Sequence, residues 1–393
     1  MKAVTWQGKR DVRVEDVIDP IIKEPTDILV RVTTTGICGS DLHLYEVLGP
    51  FMTPGDTLGH EAIGIVEDVG ADITHVRAGD RVVMPFQISC GHCYMCDTGL
   101  QTQCETTQVR EFNSGAALFG YSSLYGAVPG GQAEFLRVPQ AQNTAIKVPD
   151  GPSDERFVYL SDVLPTAWQG VEYAAIPPGG TVVVLGLGPI GDMATRIAAY
   201  RGHRVIGVDL VADRLARVRA RGNEVLDVGT LGEGIGDAIR EMTDGRGPDS
   251  VIDAVGMEAH GSRAGKFAHD AAGLLPDSLA RKMMQTAGTD RLAALRAAID
   301  IVRRGGTISL SGVYGGMADP LPMLVLFDKQ IQLRMGQANV QRWVPQILPL
   351  LTDDDPLGVD TFATHRVPLS QAPLAYDRFQ KKLDGTVKVL LNP

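Results

Sequence analysis

No apolar run in the chain approaches the roughly 20 residues that a membrane-crossing helix needs, so no membrane partner is expected. No basic run offsets the acidic excess either. Against 47 acidic side chains stand 37 lysines and arginines, and the resulting field, a formal charge of −10, disfavours nucleic acid and anionic lipid surfaces as partners. Internal repeats and low-complexity segments are absent. Cysteine is scarce and odd in number, five in 393 residues, and four of the five fall between Cys90 and Cys104. That crowding suits metal ligation in a reducing compartment rather than a disulfide framework. The opening run Met1 to Trp6 enters a strand-like pattern with neither the apolar core nor the cleavage site of a secretory signal, so a cytoplasmic location is expected.

What is present is enough for two domains with substantial cores, at 44% hydrophobic and 21% charged residues. Residues 1–155 alternate short β-type runs with turn residues, as in Asp27 to Val32, Ala62 to Val66, Arg81 to Met84 and Ala133 to Val138, and predict a compact all-β body. From residue 156 to 337 strands alternate with helical stretches, which predicts a doubly wound parallel sheet. The fold class is therefore α/β plus β. Residues 338–393 are expected to return to the first body through a helix over Trp343 to Leu351 and a final strand from Thr386 to Leu391.

The run Cys38-Gly39-Ser40-Asp41-Leu42-His43 is answered by Gly59-His60-Glu61. Alone, Cys38 reads as a small buried hydrophobe and His60 as a satisfied core histidine. Together, a thiolate and an imidazole at the ends of apolar strands are ligand types that zinc prefers, and a catalytic zinc needs only three from the protein. Ser40 and His43 add a hydroxyl and a titratable ring suited to carrying a proton away. With Gly64 and Gly70 following, these residues resemble the signature of the zinc-dependent medium-chain alcohol dehydrogenases. The resemblance extends over the whole chain and implies a co-chaperonin-like (GroES-like) β-barrel as the catalytic domain, beside a Rossmann domain.

Cys90, Cys93, Cys96 and Cys104, at gaps of two, two and seven residues, can close an all-thiolate shell around one zinc, in a lobe over residues 88–106. An iron-sulfur cluster is the competing reading; its bacterial run keeps three residues before the last cysteine and a proline after it, whereas the gap here is seven and Glu105 follows. The same lobe occurs in zinc alcohol dehydrogenases, which implies two zinc ions per chain, one catalytic and one structural.

The apolar run Thr181 to Leu185 leads into Gly186-Leu187-Gly188-Pro189-Ile190-Gly191 and then a helical stretch. Between strand and helix, that glycine pattern is a dinucleotide fingerprint, with bare amides facing a pyrophosphate. Asp209 ends the next strand, 23 residues after Gly186, where a carboxylate accepts from a ribose and repels a 2′-phosphate, so NAD is favoured over NADP. Arg214 either stacks on adenine or solvates a helix face; the resemblance favours the cofactor. It also places Gly39, Val255, Val313, Gly336 and Lys388 among the cofactor contacts, although on sequence alone Lys388 reads as a solvated lysine. About fifty residues separate Met257 from Gly305, roughly twice what one crossover helix needs. The second half, Asp290 to Arg304, predicts an amphipathic helix with Leu292, Leu295, Ile299 and Val302 on one face. The surplus, over residues 257–285, is read either as a flap that retains NAD through His260 or Arg263 or as an oligomer contact.

A third catalytic-zinc ligand must come from elsewhere, because the four lobe cysteines are committed. Asp162, at the junction of the two domains, is the candidate, with a helix-capping aspartate as the alternative. Glu61 reads as a supporting or transient ligand. The Leu160-Ser161-Asp162 segment and the surplus loop resemble the glutathione-independent formaldehyde dehydrogenase branch. The resemblance implies oxidation of a small alcohol or hydrated aldehyde by NAD, with possible aldehyde dismutation, and a homo-oligomer, a tetramer being favoured. Longer primary alcohols or polyols are the alternative substrates, and a metal-stabilised NAD-binding protein without turnover is the alternative class. Phe51, Phe86, Phe112 and Phe119 border either the pocket or the core.

Overall fold

The computed structural model describes residues 1–256, 292–314, 320–351 and 354–393. The chain divides into two compact units, the first made of Met1–Pro165 with Ala338–Pro393, the second of Thr166–Gln337.

The first unit is built on antiparallel β-structure. Its main sheet runs in the order His365–Pro368, Val389–Asn392, Ile28–Ile37, Ala62–Val69, Arg81–Met84 and Ile146–Lys147, with Phe135–Val138 also on Ile28–Ile37. The alternating pattern of Ile28, Val30 and Val32 turns one strand face into a core with Val66, Val82, Met84, Leu136 and Val138. A fully buried side chain of that size stabilises by about 1.5–3 kcal/mol, so these residues set the register that the site depends on. The chain's last strand closes the sheet by pairing Val389 with Ile37 and Leu391 with Thr35.

That strand is shorter than the sequence pattern suggests, starting at Val389 rather than Thr386. Thr364 takes the preceding backbone instead: its hydroxyl accepts from Val387 N at 3.1 Å and Lys388 N at 3.2 Å, and its amide donates to Lys388 O.

The second unit holds a six-stranded parallel sheet in the order Glu224–Asp227, Arg204–Asp209, Thr181–Leu185, Ser250–Asp253, Thr307–Leu310 and Gln332–Met335. Numbered along the chain this is 3-2-1-4-5-6, the doubly wound order in which the switch point falls beside the first strand. Val182, Val183 and Val184 are fully buried, as a central parallel strand requires. The helix Ala293–Ile301 packs onto the sheet with Leu292, Leu295, Ile299 and Val302 all buried. Among the described residues no helix is long and apolar enough to cross a membrane.

Candidate functional site

Four stretches of the first unit meet at one end of its sheet. Cys38 follows the strand Ile28–Ile37 and starts the helix Gly39–Glu46, while His60 and Glu61 precede Ala62–Val69, which pairs back through Thr35 and Ala62. Pairing of the two strands therefore brings the thiol and the imidazole together. Asp162 arrives after the short 3-10 turn Val158–Ser161, immediately before the helix Val163–Ala174, and Lys388 arrives just before the closing strand.

The ligand atoms of Cys38, His60, Glu61 and Asp162 all lie within 4.8 Å of one another, and all four residues are buried. Asp162 Oδ2 stands 3.3 Å from Cys38 Sγ and 3.3 Å from His60 Nε2. Ser40 Oγ reaches into the same cluster, 3.2 Å from Cys38 Sγ and 3.1 Å from His60 Nε2. His43 lies three residues further along the same helix, one turn away and half-buried. On the far side of the imidazole, Nδ1 is 3.2 Å from Asp41 Oδ1. Such a carboxylate fixes a ligating histidine's tautomer and ring orientation.

Electrostatically the cluster calls for a cation. Burial pushes the Cys38 thiol up to about 11, with the Asp162 and Glu61 charges adding to the shift. Burial likewise raises Glu61, although the Lys388 ammonium opposes it. His60 is raised well above its ordinary value: burial lowers it, but the Asp41 charge and hydrogen bonds to Asp162, Asp41 and Cys38 outweigh that. A buried thiol and carboxylates around one imidazole are costly without a shared positive charge, and a Cys/His/carboxylate set is one that zinc accepts. The donor set fits that ion.

Lys388 is not the solvated lysine that sequence alone suggested. It is fully buried, its Nζ paired with Glu61 Oε2 and donating to Ile37 O at 3.1 Å. Gly36 leaves the space this needs, since a Cβ there would collide with the Glu61 carboxylate.

The four remaining cysteines form a second cluster of the same dimension, with three of them buried and Cys93 half-buried. Burial raises the Cys104 thiol, but amide donors, Cys90 N foremost, outweigh it and lower the group to about 6. Thiolate character of this kind suits a metal ligand. His92 turns its Nδ1 to Cys90 O at 3.0 Å, away from the cluster. Asn339 Oδ1 accepts from Thr102 N at 3.0 Å and Thr102 Oγ1 at 2.9 Å, tying the lobe to the returning chain.

In the second unit, Gly188 caps the helix Pro189–Tyr200, with Pro189 at its first position and Ile190 next. Gly186 has φ +81°, and a Cβ on Gly191 would collide with Gly186 O, so both glycines are required by the turn. Asp209 is buried; its Oδ2 accepts from Leu187 N at 2.6 Å, and its Oδ1 from Leu210 N at 2.7 Å and Val211 N at 2.8 Å. Arg214 does not solvate a helix face: its side chain is 11% exposed and its Nη1 lies 3.8 Å from Asp209 Oδ2. Val255 N is held by Asp253 Oδ1 at 2.9 Å, Val313 is exposed, and Gly336 O accepts from Gln169 Nε2 at 3.1 Å. Gly39 has open space where a Cβ would stand. His260, Arg263 and the surplus loop lie outside the described residues.

Three contributors escaped the sequence reading. Asp41 carried a usable signal, an acid three residues after a helix start, and its Oδ2 accepts from Cys38 N at 2.9 Å. Gln132, whose Nε2 donates to Asp41 Oδ2 at 3.1 Å, and Tyr376, whose hydroxyl donates to Gln132 Oε1 at 2.8 Å, carried none. Around the imidazole, Phe86 and Tyr121 stand edge-on, with ring centroids 6.5 and 6.3 Å from His60, and Tyr125 backs Tyr121 at 5.7 Å. The four phenylalanines accordingly divide. Phe86 borders the site, Phe51 and Phe112 pack edge to face at 6.5 Å, and Phe119 is core.

Comparison with known proteins agrees with this geometry. Residues 24–150 match the alcohol dehydrogenase GroES-like domain, and residues 189–272 match the zinc-binding dehydrogenase family. An uncharacterized zinc-type alcohol dehydrogenase-like protein of Bacillus subtilis is 40% identical, over 100% of both chains. A formaldehyde dismutase of Pseudomonas putida is 30% identical, over 100% of this chain and 97% of its own. Among solved structures, an alcohol dehydrogenase from Thermus sp. ATN1 superposes with a TM-score of 0.81 at 33% identity, covering 100% of this chain and 99% of that one.

Proposed function

Because the chain belongs to the zinc-dependent medium-chain alcohol dehydrogenase superfamily, as its GroES-like and Rossmann-type domains attest, we propose that it oxidises a small alcohol or a hydrated, formaldehyde-like aldehyde with NAD. One zinc is held by Cys38, His60 and Asp162, and a second by Cys90, Cys93, Cys96 and Cys104. The observation that carries this reading is the 3.3 Å approach of Asp162 to both Cys38 and His60, with the Ser40 hydroxyl inserted beside them.

When bound, zinc supplies Lewis-acid polarisation of the substrate oxygen and NAD accepts the hydride. The protein's own residues manage the proton and the geometry. Ser40 Oγ takes the substrate's hydroxyl proton as it releases its own toward His43, one helical turn on, which passes it to water. Asp41 holds His60 in the tautomer whose Nε2 is free to ligate. Glu61, tied to Lys388, supports the ligand set from behind. Phe86 and Tyr121 line the imidazole with aromatic surface, which supports a compact substrate. The 30% identity to a formaldehyde dismutase across the whole chain supports the same substrate class.

Asp209 supports NAD over NADP, since its carboxylate ends the second strand of the sheet where a 2′-phosphate would be repelled. Gly186, Gly188, Pro189, Ile190 and Gly191 supply the pyrophosphate turn, and Arg214, Val255, Val313 and Gly336 the flanking contacts. A homo-oligomer is supported by the sheet's last strand, Gln332–Met335, beside exposed Met323, Leu324 and Phe327; a tetramer and a cytoplasmic location belong to the same reading.

The test is turnover of purified protein with formaldehyde and with a series of alcohols, thiols absent, following NADH, formate and methanol together. Formate from formaldehyde supports the proposal, and matching methanol adds dismutation. Activity confined to longer primary alcohols or polyols moves the substrate to that class; no turnover of any of them, with both zinc ions bound, refutes the enzyme reading.

A further inference from the structure

Behind His60 runs a chain of buried polar contacts, hydrogen bonds as far as Asp41 and a carboxylate–imidazole contact from there, that ends on the C-terminal helix Ala372–Gln380. Tyr376 OH lies 2.8 Å from Gln132 Oε1, Gln132 Nε2 lies 3.1 Å from Asp41 Oδ2, and Asp41 Oδ1 lies 3.2 Å from His60 Nδ1. Tyr376, Gln132 and Asp41 are each 0% exposed.

From Tyr376 to Asp41 the donors and acceptors leave no freedom of assignment. Gln132 Nε2 also lies 3.1 Å from Gly36 O, and both Gly36 O and the Asp41 carboxylate only accept, so the amide nitrogen must face them. The amide oxygen is then left to Tyr376, whose hydroxyl must donate. Asp41 Oδ2 is taken by Gln132 and by Cys38 N, which leaves Oδ1 facing His60 Nδ1 at 3.2 Å, neither atom having another hydrogen-bond partner among the described residues. The backbone of Gln132 is pinned as well, its amide donating to Leu58 O at 2.9 Å and its carbonyl accepting from Val4 N at 2.8 Å. Gly59, at φ +98°, makes room for this: a Cβ there would come within 2.6 Å of Gln132 N.

We propose that Gln132 is a positioning residue: buried between Tyr376 and Asp41, its side-chain amide fixes the carboxylate that orients His60 for metal ligation. The inference rests on the reading of Cys38, His60 and Asp162 as a zinc site. It ties the ligand's orientation to the returning end of the chain, because Tyr376 arrives with the last 56 residues.

The test uses full-length, zinc-loaded protein and reads the metal directly. Zinc release to a chromogenic chelator is followed in the parent, in Gln132→Met, in Gln132→Glu and in Tyr376→Phe, with Cys38→Ala assigning which phase belongs to which site. Visible spectra of the cobalt-substituted proteins report ligand geometry. Gln132→Met is expected to release the Cys38-site zinc about 10- to 100-fold faster, the usual cost of losing an outer partner, with altered cobalt bands and an unchanged lobe phase. Gln132→Glu keeps an acceptor for Tyr376 but sets a carboxylate against Asp41, and is not expected to rescue. Tyr376→Phe, which loses one hydroxyl and keeps the ring, is expected to accelerate release less, and it serves if the Gln132 variants fail to fold. Parent-like release and parent-like cobalt spectra in a folded variant overturn the inference. If the parent carries one zinc only and Cys38→Ala retains it, the zinc-site reading itself has failed.

Discussion

Cys38 Sγ and Asp162 Oδ2 approach to 3.3 Å although 124 positions separate them in the chain. A weak thiol-to-carboxylate hydrogen bond links the two, and a cation shared between a buried thiolate and a buried carboxylate would hold them far more strongly. Replacing Asp162 by alanine is therefore expected to lower zinc content from two ions per chain to one and to reduce turnover by about 100-fold or more, beyond what an outer-partner loss brings. Asp162→Cys restores a two-cysteine, one-histidine set and is expected to keep both ions. Metal analysis of the purified variants checks both outcomes.

Ser40 separates an enzyme from a metal-stabilised binding protein. Its hydroxyl touches Cys38 and His60 but is not needed to hold either. Ser40→Ala is expected to bind two zinc ions and to lower kcat by about 10²- to 10⁴-fold, the usual contribution of a positioned proton acceptor. Steady-state kinetics beside metal analysis decide it; unimpaired kcat would remove Ser40 from the proton path.

Asp209 is expected to set cofactor choice. Asp209→Ser removes the charge that repels a 2′-phosphate while Arg214 remains beside it. The ratio of kcat/KM for NAD over NADP is expected to fall at least about tenfold.

The second unit contains a pH-dependent element away from the site. Asp192 is buried; burial raises its carboxyl, but the charges of Arg196, Arg221 and Arg217 outweigh that and hold it below the usual range. A carboxyl depressed in the folded state contributes stability fully above its unfolded value, about 3.9, and loses it as pH falls through the lower folded value. Asp192→Asn, which removes the negative charge that Arg196, Arg217 and Arg221 share, is expected to cost about 3 kcal/mol at pH 7. That difference should shrink as pH falls below about 4, as chemical denaturation across pH would show.

Much of this was legible locally. The glycine turn from Gly186 to Gly191 sits between an apolar strand and a helix within a dozen residues, and Cys38, Ser40 and His60 lie at strand ends whose pairing follows from alternating apolar patterns. Asp162 was legible because it stands where one body hands the chain to the other. Lys388 was misjudged on sequence alone because a lysine near the end of a chain reads as solvated; only the closing strand's pairing with Ile37 shows that it enters beneath Glu61. Gln132 and Tyr376 are separated by 244 positions, and no periodicity or motif links them. Such polar contacts depend on tertiary packing, which local pattern does not encode.

The most direct test of the account is anomalous diffraction at the zinc edge from crystals of the native protein. Two peaks per chain are expected, one at bonding distance, about 2.0–2.3 Å, from Cys38, His60 and Asp162, the other amid Cys90, Cys93, Cys96 and Cys104. A single peak in the cysteine lobe, or a first-site peak with Asp162 turned away from it, would contradict the assignment on which the proposed chemistry rests.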